Sequence, residues 1–334
     1  MTFYKNGAGI KQKLIEEMNK LGKNRMPFVF IINFDLSQYY IKPCNEINEN
    51  ELLYQINGFG NAKEYPVLQK EILLKKHPIS YNSYLKKFQK ATNHLSYGNS
   101  FLINLTQPTP ITCNLTIEEI FYHSKARYKL HVPDTFVVFS PEIFIQITDG
   151  IISSYPMKGT IDAAEPCAAE TILTDPKELA EHATIVDLIR NDLSRVSNHV
   201  WVERFRYIDE INTHEKKLLQ VSSKICGHLD KNYSHVIGNI ICAMLPAGSV
   251  TGAPKPKTID IIKNIEDYDR GFYTGVFGYF DGHNLDSGVM IRFIEKNGDN
   301  LYFKSGGGIT VYSNPKKEYQ ELIDKVYVPV NRIN

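Results

Sequence analysis

The chain has 334 residues, 43% hydrophobic and 22% charged, which is enough for a sizeable core in one large domain or two ordinary ones. Its formal net charge of +1 leaves no electrostatic footprint for nucleic acid, and its five scattered cysteines, without a Cys-x-x-Cys or His-Glu-x-x-His pattern, argue against a disulfide framework or a zinc site. With no signal-peptide pattern at the N-terminus and no apolar run of about 18 residues, a cytoplasmic protein without a membrane partner is expected.

Residues 1–75 alternate a helix-like segment (Ile10–Leu21), a strand (Phe28–Phe34) and polar turn material around Pro43–Asn50. From His77 the character changes. Tyr84, Phe88, Ala91, Thr92 and Leu95 mark a helix ending at Gly98, a good C-cap residue. Phe101–Thr106 reads as a strand closed by Pro108 and Pro110, and Thr116–Ala126 as a second helix. Strands are expected at Thr135–Phe139, Ile143–Thr148 and Ile151–Tyr155, with Asp149-Gly150 as a type I′ hairpin turn.

Asp175-Pro176 is a helix start, a capping side chain followed by a residue whose missing N–H costs nothing in the first turn. Leu179, Ala183, Val186 and Leu193, widened by Ile185, Leu188 and Ile189, predict a largely buried helix to about Ser197. After it, Val200–Ile208 reads as a strand, Lys217–Cys226 as a strand or helix, and His235–Met244 as helical. From Gly271 a meander is expected: Phe272–Phe280, Gly288–Glu295 and Leu301–Lys304, with turns at Asp281-Gly282 and Asn297-Gly298. Lys317–Val326 closes as an amphipathic helix with Tyr319, Leu322, Ile323 and Val326 inward. These short mixed runs argue α+β rather than strict βαβ alternation.

Five features carry chemistry. Glu178 and Glu181 lie three apart on one helix, Glu318 and Glu321 three apart on another. Each pair could simply decorate a helix, or the two could bring carboxylates to one hard cation such as Mg²⁺, which prefers oxygen ligands. Pro156-Met157-Lys158-Gly159-Thr160 offers a lysine at a strand end, either a surface loop residue or a nucleophile. As a nucleophile it must be neutral, which requires its pKa to fall from the usual ~10.4. Gly248–Lys255 fails the phosphate-loop pattern but permits close backbone approach to a ligand. Ser305-Gly306-Gly307-Gly308 would expose successive N–H groups to a carboxylate or form a plain flexible corner. In the meander, Val289, Ile291 and Phe293 would share one face and Met290, Arg292 and Ile294 the other. Arg292 then either binds a carboxylate or snorkels, with Tyr273 one strand away.

In this order, these pieces resemble the chorismate-binding enzymes: component I of anthranilate and aminodeoxychorismate synthases, and the isochorismate and salicylate synthases. The resemblance covers about His77 to Val326. It rests on Pro-Met-Lys-Gly-Thr, Glu-Leu-Ala-Glu-His-Ala-Thr-Ile-Val-Asp-Leu-Ile-Arg-Asn-Asp-Leu, Gly-Ser-Val-Thr-Gly-Ala-Pro-Lys, the stretch from Arg270 to Tyr279, and Gly-Gly-Gly-Ile followed by Glu-Tyr-Gln-Glu. It implies two packed antiparallel sheets flanked by helices, with residues 1–75 a shortened N-terminal region and 76–330 the chorismate-binding catalytic domain. Anthranilate synthases typically carry alanine where Lys158 stands, and aminodeoxychorismate synthases carry lysine.

The resemblance therefore implies amination of chorismate. Lys158 attacks C2 as the C4 hydroxyl leaves, Glu142 protonates that hydroxyl, and ammonia then displaces the lysine by attacking C4. Mg²⁺ would sit at Glu181 and Glu321, with Glu178 and Glu318 binding directly or through water, while Gly159, Thr160, Thr251, Tyr273, Arg292 and Gly306, Gly307 and Gly308 hold substrate. Ammonia would come from a separate glutamine amidotransferase subunit, since no Gly-x-Cys-x-Gly elbow surrounds any cysteine here. Gln220 departs from the histidine that the family often has at this position. No counterpart of the relatives' tryptophan-binding segment is found, so tryptophan binding is not expected. The alternatives are an anthranilate- or isochorismate-forming enzyme, because lysine also serves water-using members as a general base, and a non-catalytic chorismate- or subunit-binding protein.

Overall fold

The structure is a computed structural model and describes residues 1, 3–5, 9–63, 72–212 and 217–329. Its strands form two sheets in which every pairing among the described residues is antiparallel. The first sheet has ten strands and runs Tyr4–Lys5, Gln38–Pro43, Phe28–Ile32, Val276–Phe280, Leu285–Val289, Ile143–Thr148, Ile151–Ser154, Lys217–His228. This last strand also pairs with Met157–Asp162 and with Val200–Asn212. The second sheet has nine strands and runs Gly252–Ala253, Leu102–Cys113, Asn300–Ile309, Phe293–Asn297, Phe136–Ser140, Tyr128–Val132, Leu53–Ile56, Phe59–Gly60, with Leu74–Lys76 beside Leu102–Cys113.

Phe28–Ile32 shows how the layers form. Phe28, Phe30 and Ile32 point to helices α1 (Ile10–Lys23), α5 (Pro176–Ser194) and α6 (Ile237–Met244), whereas Val29 and Ile31 meet Tyr54, Leu130, Val138 and Phe293 of the other sheet. A strand buried on both faces reads as a continuous apolar run, as this one does. Helices α2 (Tyr81–Ser96), α7 (Lys255–Ile265) and α8 (Pro315–Asp324) cover one part of the second sheet's outer face, and α3 (Ile117–His123) another. The remaining helix, α4 (Ala168–Thr174), leads directly into α5. The most apolar stretch is broken into two 3-10 turns around α6, whose eight residues reach only about 12 Å, well short of a bilayer core.

Several expected elements change. The strand beginning near Phe101 runs on through both prolines to Cys113. Pro110 accepts the His77 N–H on the side away from Asn300–Ile309, so neither missing N–H interrupts that ladder. Of the two readings open for Lys217–Cys226 the strand holds, as Lys217–His228, and Met157–Asp162, expected at the end of the preceding strand, is a strand of its own. Gly288–Glu295 is two strands in two sheets. The chain leaves the first sheet at Val289, turns through Arg292 at φ 52°, and enters the second at Phe293. The expected two-face alternation therefore fails, because Val289 joins the helix-side core while Met290 and Phe293 join the inter-sheet core. Tyr273 sits in the turn before Val276–Phe280 rather than in that strand. The Asp149-Gly150 turn has φ 49° and 79°, the two positive values a type I′ hairpin needs.

Candidate active site

Lys158 lies second in the Met157–Asp162 strand, where the register against Lys217–His228 slips between Met157 and Thr160. Gly159 occupies the slip at φ 82°, a left-handed conformation that favours glycine, and a Cβ there would stand 2.8 Å from Glu178 Oε2. The Lys158 ammonium meets Glu181 at 3.0 Å, and that carboxylate is nearly buried. Lys158 Nζ is also 3.2 Å from the position a Gly308 Cβ would take.

The two glutamate pairs come from opposite directions. Asp175 caps α5 by accepting the Glu178 N–H at 2.9 Å, which aims the first turn and its Glu178 at Gly159. The buried face of α5 is Glu181, His182, Ile185, Val186, Ile189, Asp192 and Leu193, whereas Leu179 and Ala183, expected inside, are exposed. The stripe is rotated because the helix buries three polar groups, each with a partner. On α8, Glu318 Oε2 and Glu321 Oε1 lie 3.5 and 3.6 Å from a Cβ placed on Gly307. Lysine, glycines and both pairs thus surround one space.

The glycines are strand residues, paired with Thr106, Leu105 and Asn104. The Thr106 N–H goes to Glu266 and the Asn104 N–H to the Thr251 carbonyl, both away from Asn300–Ile309. In an antiparallel ladder, Gly306 and Gly308 then turn their own N–H groups to the open edge while Gly307 bonds to Leu105. The expected run of three successive free N–H groups is therefore an alternating pair. A side chain on Gly306 would collide with Leu105 and Thr106.

Glu142 accepts a hydrogen bond from Ser249 Oγ, and burial pushes its carboxyl up from the usual range against the opposing pull of Ser249, Arg292 and Lys325. The Arg292 guanidinium stacks 5.3 Å from the Tyr327 ring, and its buried Nε has no partner among the described residues. Tyr273 is buried, and desolvation raises its phenol pKa. Thr251, expected to touch substrate, is fully buried with its hydroxyl donating to the Ala247 carbonyl at 2.7 Å. Gln220 pairs across the strand with Thr160, its amide 3.4 Å from Thr160 Oγ1.

The depressed Lys158 pKa that neutral attack demands is not found. Burial pulls it down, but the carboxylates of Glu181, Glu321 and Glu178 more than offset this and hold the ammonium above its ordinary value. Three further groups were not singled out from the sequence. Lys325 donates to the Gly306 carbonyl at 2.8 Å and pairs with Glu321 at 2.6 Å, and its place four residues after Glu321 was the available signal. His182 Nε2 lies 2.7 Å from Ser223 Oγ in full burial, and desolvation brings it down to about 4. Arg270 and Glu266 form a buried pair at 2.7 Å that also grips the Val250 and Asn104 carbonyls beside Thr251 and Gly308.

A family model described as chorismate binding enzyme matches residues 16–331. The chain is 47% identical over 319 residues to an uncharacterized PabA-like protein of Haemophilus influenzae, covering 96% of this chain and 97% of that one. It is 30% identical over 266 residues to aminodeoxychorismate synthase component 1 of Bacillus subtilis, covering 75% of this chain and 55% of the relative. Among solved structures, the menaquinone-specific isochorismate synthase of Escherichia coli superimposes with a TM-score of 0.73 at 16% identity, over 97% of this chain and 82% of that one. Anthranilate synthase component I of Streptococcus pneumoniae gives 0.64 at 25% identity, over 80% and 60%.

Proposed function

The chain belongs to the chorismate-binding enzymes, and from that premise we propose that it aminates chorismate at C4, using ammonia from a separate glutamine amidotransferase, to give 4-amino-4-deoxychorismate for para-aminobenzoate and folate synthesis. The observation that carries the reading is Lys158 itself, held 3.0 Å from Glu181 at the mouth of the glycine strand. Within Pro-Met-Lys-Gly-Thr, lysine at this position sets the chain apart from the anthranilate synthases, which typically carry alanine, and is shared by aminodeoxychorismate synthases and the water-using members. In this reading Arg292, with its unpartnered buried Nε, and the edge N–H groups of Gly306 and Gly308 receive the substrate's carboxylates. Tyr273, Gly159 and Thr160 bound the ring, and Thr251 shapes the wall from behind. Glu142, whose pKa burial raises, is the proton donor to the departing hydroxyl, which is otherwise a poor leaving group.

No three acidic, imidazole or thiol groups among the described residues converge into a ready-made metal site. The donors around Gly307 and Gly159 are all carboxylate oxygens, which fits a hard cation that takes one or two protein carboxylates, water and a ligand anion. Glu181 and Glu321, supported by Glu178 and Glu318, would hold Mg²⁺. When bound, the ion would neutralise these carboxylates and clamp a substrate carboxylate. Glu181 also holds the Lys158 ammonium, so loosening this ion pair is what makes the amine available. Burial raises the thiols of Cys44, Cys226 and Cys242, the last to about 12, the opposite of what a glutaminase nucleophile needs. The test is to mix the protein with chorismate, Mg²⁺ and an ammonium salt and identify the product by mass. A hydroxylated isomer of chorismate, or anthranilate, in place of the aminated product refutes the proposal.

A further inference from the structure

Behind Glu142, where α5, α6 and the first sheet meet, lies a cavity of about 20 Å³, room for one or two water-sized molecules and nothing larger. Its polar lining is Glu142, Asp192, Ser154, Tyr155 and Ser249. Ile189, Met244, Ala247 and Val289 close it with apolar surface. Asp192 is buried against Lys255, whose ammonium also donates to the Met244 carbonyl at 2.8 Å. Two carboxylates beside an apolar wall, in a cavity that Pro156 lines two residues before Lys158, are more than packing requires.

The lining holds more acceptors than donors, Tyr155 adding a single O–H. Ser249 spends its O–H on Glu142, and Ser154 spends its own on the Phe144 carbonyl at 3.1 Å, so both present lone pairs. Glu142 too only accepts once it has given up its proton. A small guest rich in N–H donors fits such a surface. Ammonia has three donors and the size of a water molecule. We propose that this cavity seats the ammonia that attacks C4, with Glu142 as the wall it shares with the chorismate site.

The inference rests on the amination reading, and the steps balance. The neutral Lys158 amine bonds to C2, the ring double bond shifts, and the C4–O bond breaks as Glu142 gives its proton, releasing water. Glu142 is now a carboxylate facing the cavity. Ammonia bonds to C4, the double bond shifts back, and the C2–N bond breaks, returning its electron pair to Lys158. The C4 ammonium passes its extra proton to Glu142. One water leaves, one ammonia enters, and no redox partner is needed.

Ala247→Val fills the cavity without replacing Lys158, any glutamate or any glycine, and Val289→Ile, one methylene larger, does so where the first variant folds poorly. Both are compared with wild type for ammonium KM at saturating chorismate and for chorismate Kd by calorimetry. The expected result is an ammonium KM raised roughly tenfold, the scale of one unwanted methylene in a tight site, with chorismate Kd unchanged. An unchanged ammonium KM in the folded variants, or a chorismate Kd that worsens by the same factor, overturns the assignment. A wild type that binds chorismate yet forms no aminated product overturns the amination reading itself, before any variant is made.

Discussion

Replacing Glu266 by Gln tests the frame behind the glycine strand. The carboxylate accepts from the Thr106 N–H and Oγ1 at 2.8 Å each, from Arg270 Nη2 at 2.7 Å and from Arg270 Nε at 2.8 Å. Glu266 and Arg270 side chains are 1% and 2% exposed, so water screens neither. In its best orientation a glutamine keeps the three bonds to Oε1, sets its NH₂ against the Arg270 Nε–H, and leaves the guanidinium without a counter-charge. Breaking a buried pair in this way costs about 3–5 kcal/mol. Urea unfolding should show a lower midpoint at unchanged slope. Adding Arg270→Leu removes the stranded charge, so the double variant should lose less than the two single losses combined. Glu210→Gln at the exposed Lys217–Glu210 pair is the control, expected to lie within about 0.5 kcal/mol of wild type. A loss below about 1 kcal/mol for Glu266→Gln would refute the reasoning, since it would mean that water reaches the pair.

Glu181→Gln and Glu321→Gln should each cut turnover roughly 100-fold or more while the protein stays folded, and full activity in a chelator would contradict the metal assignment. With chorismate and Mg²⁺ but no ammonia, wild type should accumulate a covalent adduct in intact-mass spectra, mapped to the Lys158 peptide and lost in Lys158→Ala; absence of the adduct would leave Lys158 as a general base. Glutamine should support turnover only with an amidotransferase added, whereas ammonium at alkaline pH should suffice alone. His131 is buried with Nδ1 unpartnered among the described residues, and desolvation brings it down to about 4. Between pH 4 and 6.5 the unfolded ring binds a proton that the native ring refuses, so stability should rise with pH through that window, by roughly 3 kcal/mol, and be fully present above it. In His131→Phe that contribution should be lost from denaturation measured across the window, leaving the similar one from His182.

Much of the site was legible because its chemistry is local. Asp175-Pro176, the spacing of Glu178 and Glu181, that of Glu318 and Glu321, and the Lys158-Gly159 step are short-range patterns, and the structure brings all of them round one space. The hairpin at Asp149-Gly150 was readable for the same reason, since two residues supply both positive φ values. The misreadings concern partners distant in sequence. Pro108 and Pro110 stop a strand only if the ladder needs the N–H that each lacks, and which way their backbone faces depends on Asn300–Ile309, nearly two hundred residues on. Leu179 and Ala183 looked buried because periodicity counts apolar residues, but α5 turns Glu181, His182 and Asp192 inward to Lys158, Ser223 and Lys255.

The sequence alone determined the α+β class, the strong local elements and the residue types able to bind and activate an anionic substrate, because propensity, capping and short-range spacing are properties of neighbouring residues. Only the tertiary structure decided that Gly288–Glu295 divides between two sheets at Arg292, that the glycines offer alternate rather than successive N–H groups, and that Lys158 is charged against Glu181. Each depends on which strand or carboxylate lies across the gap, and burial strengthens such contacts without leaving any trace in local spacing.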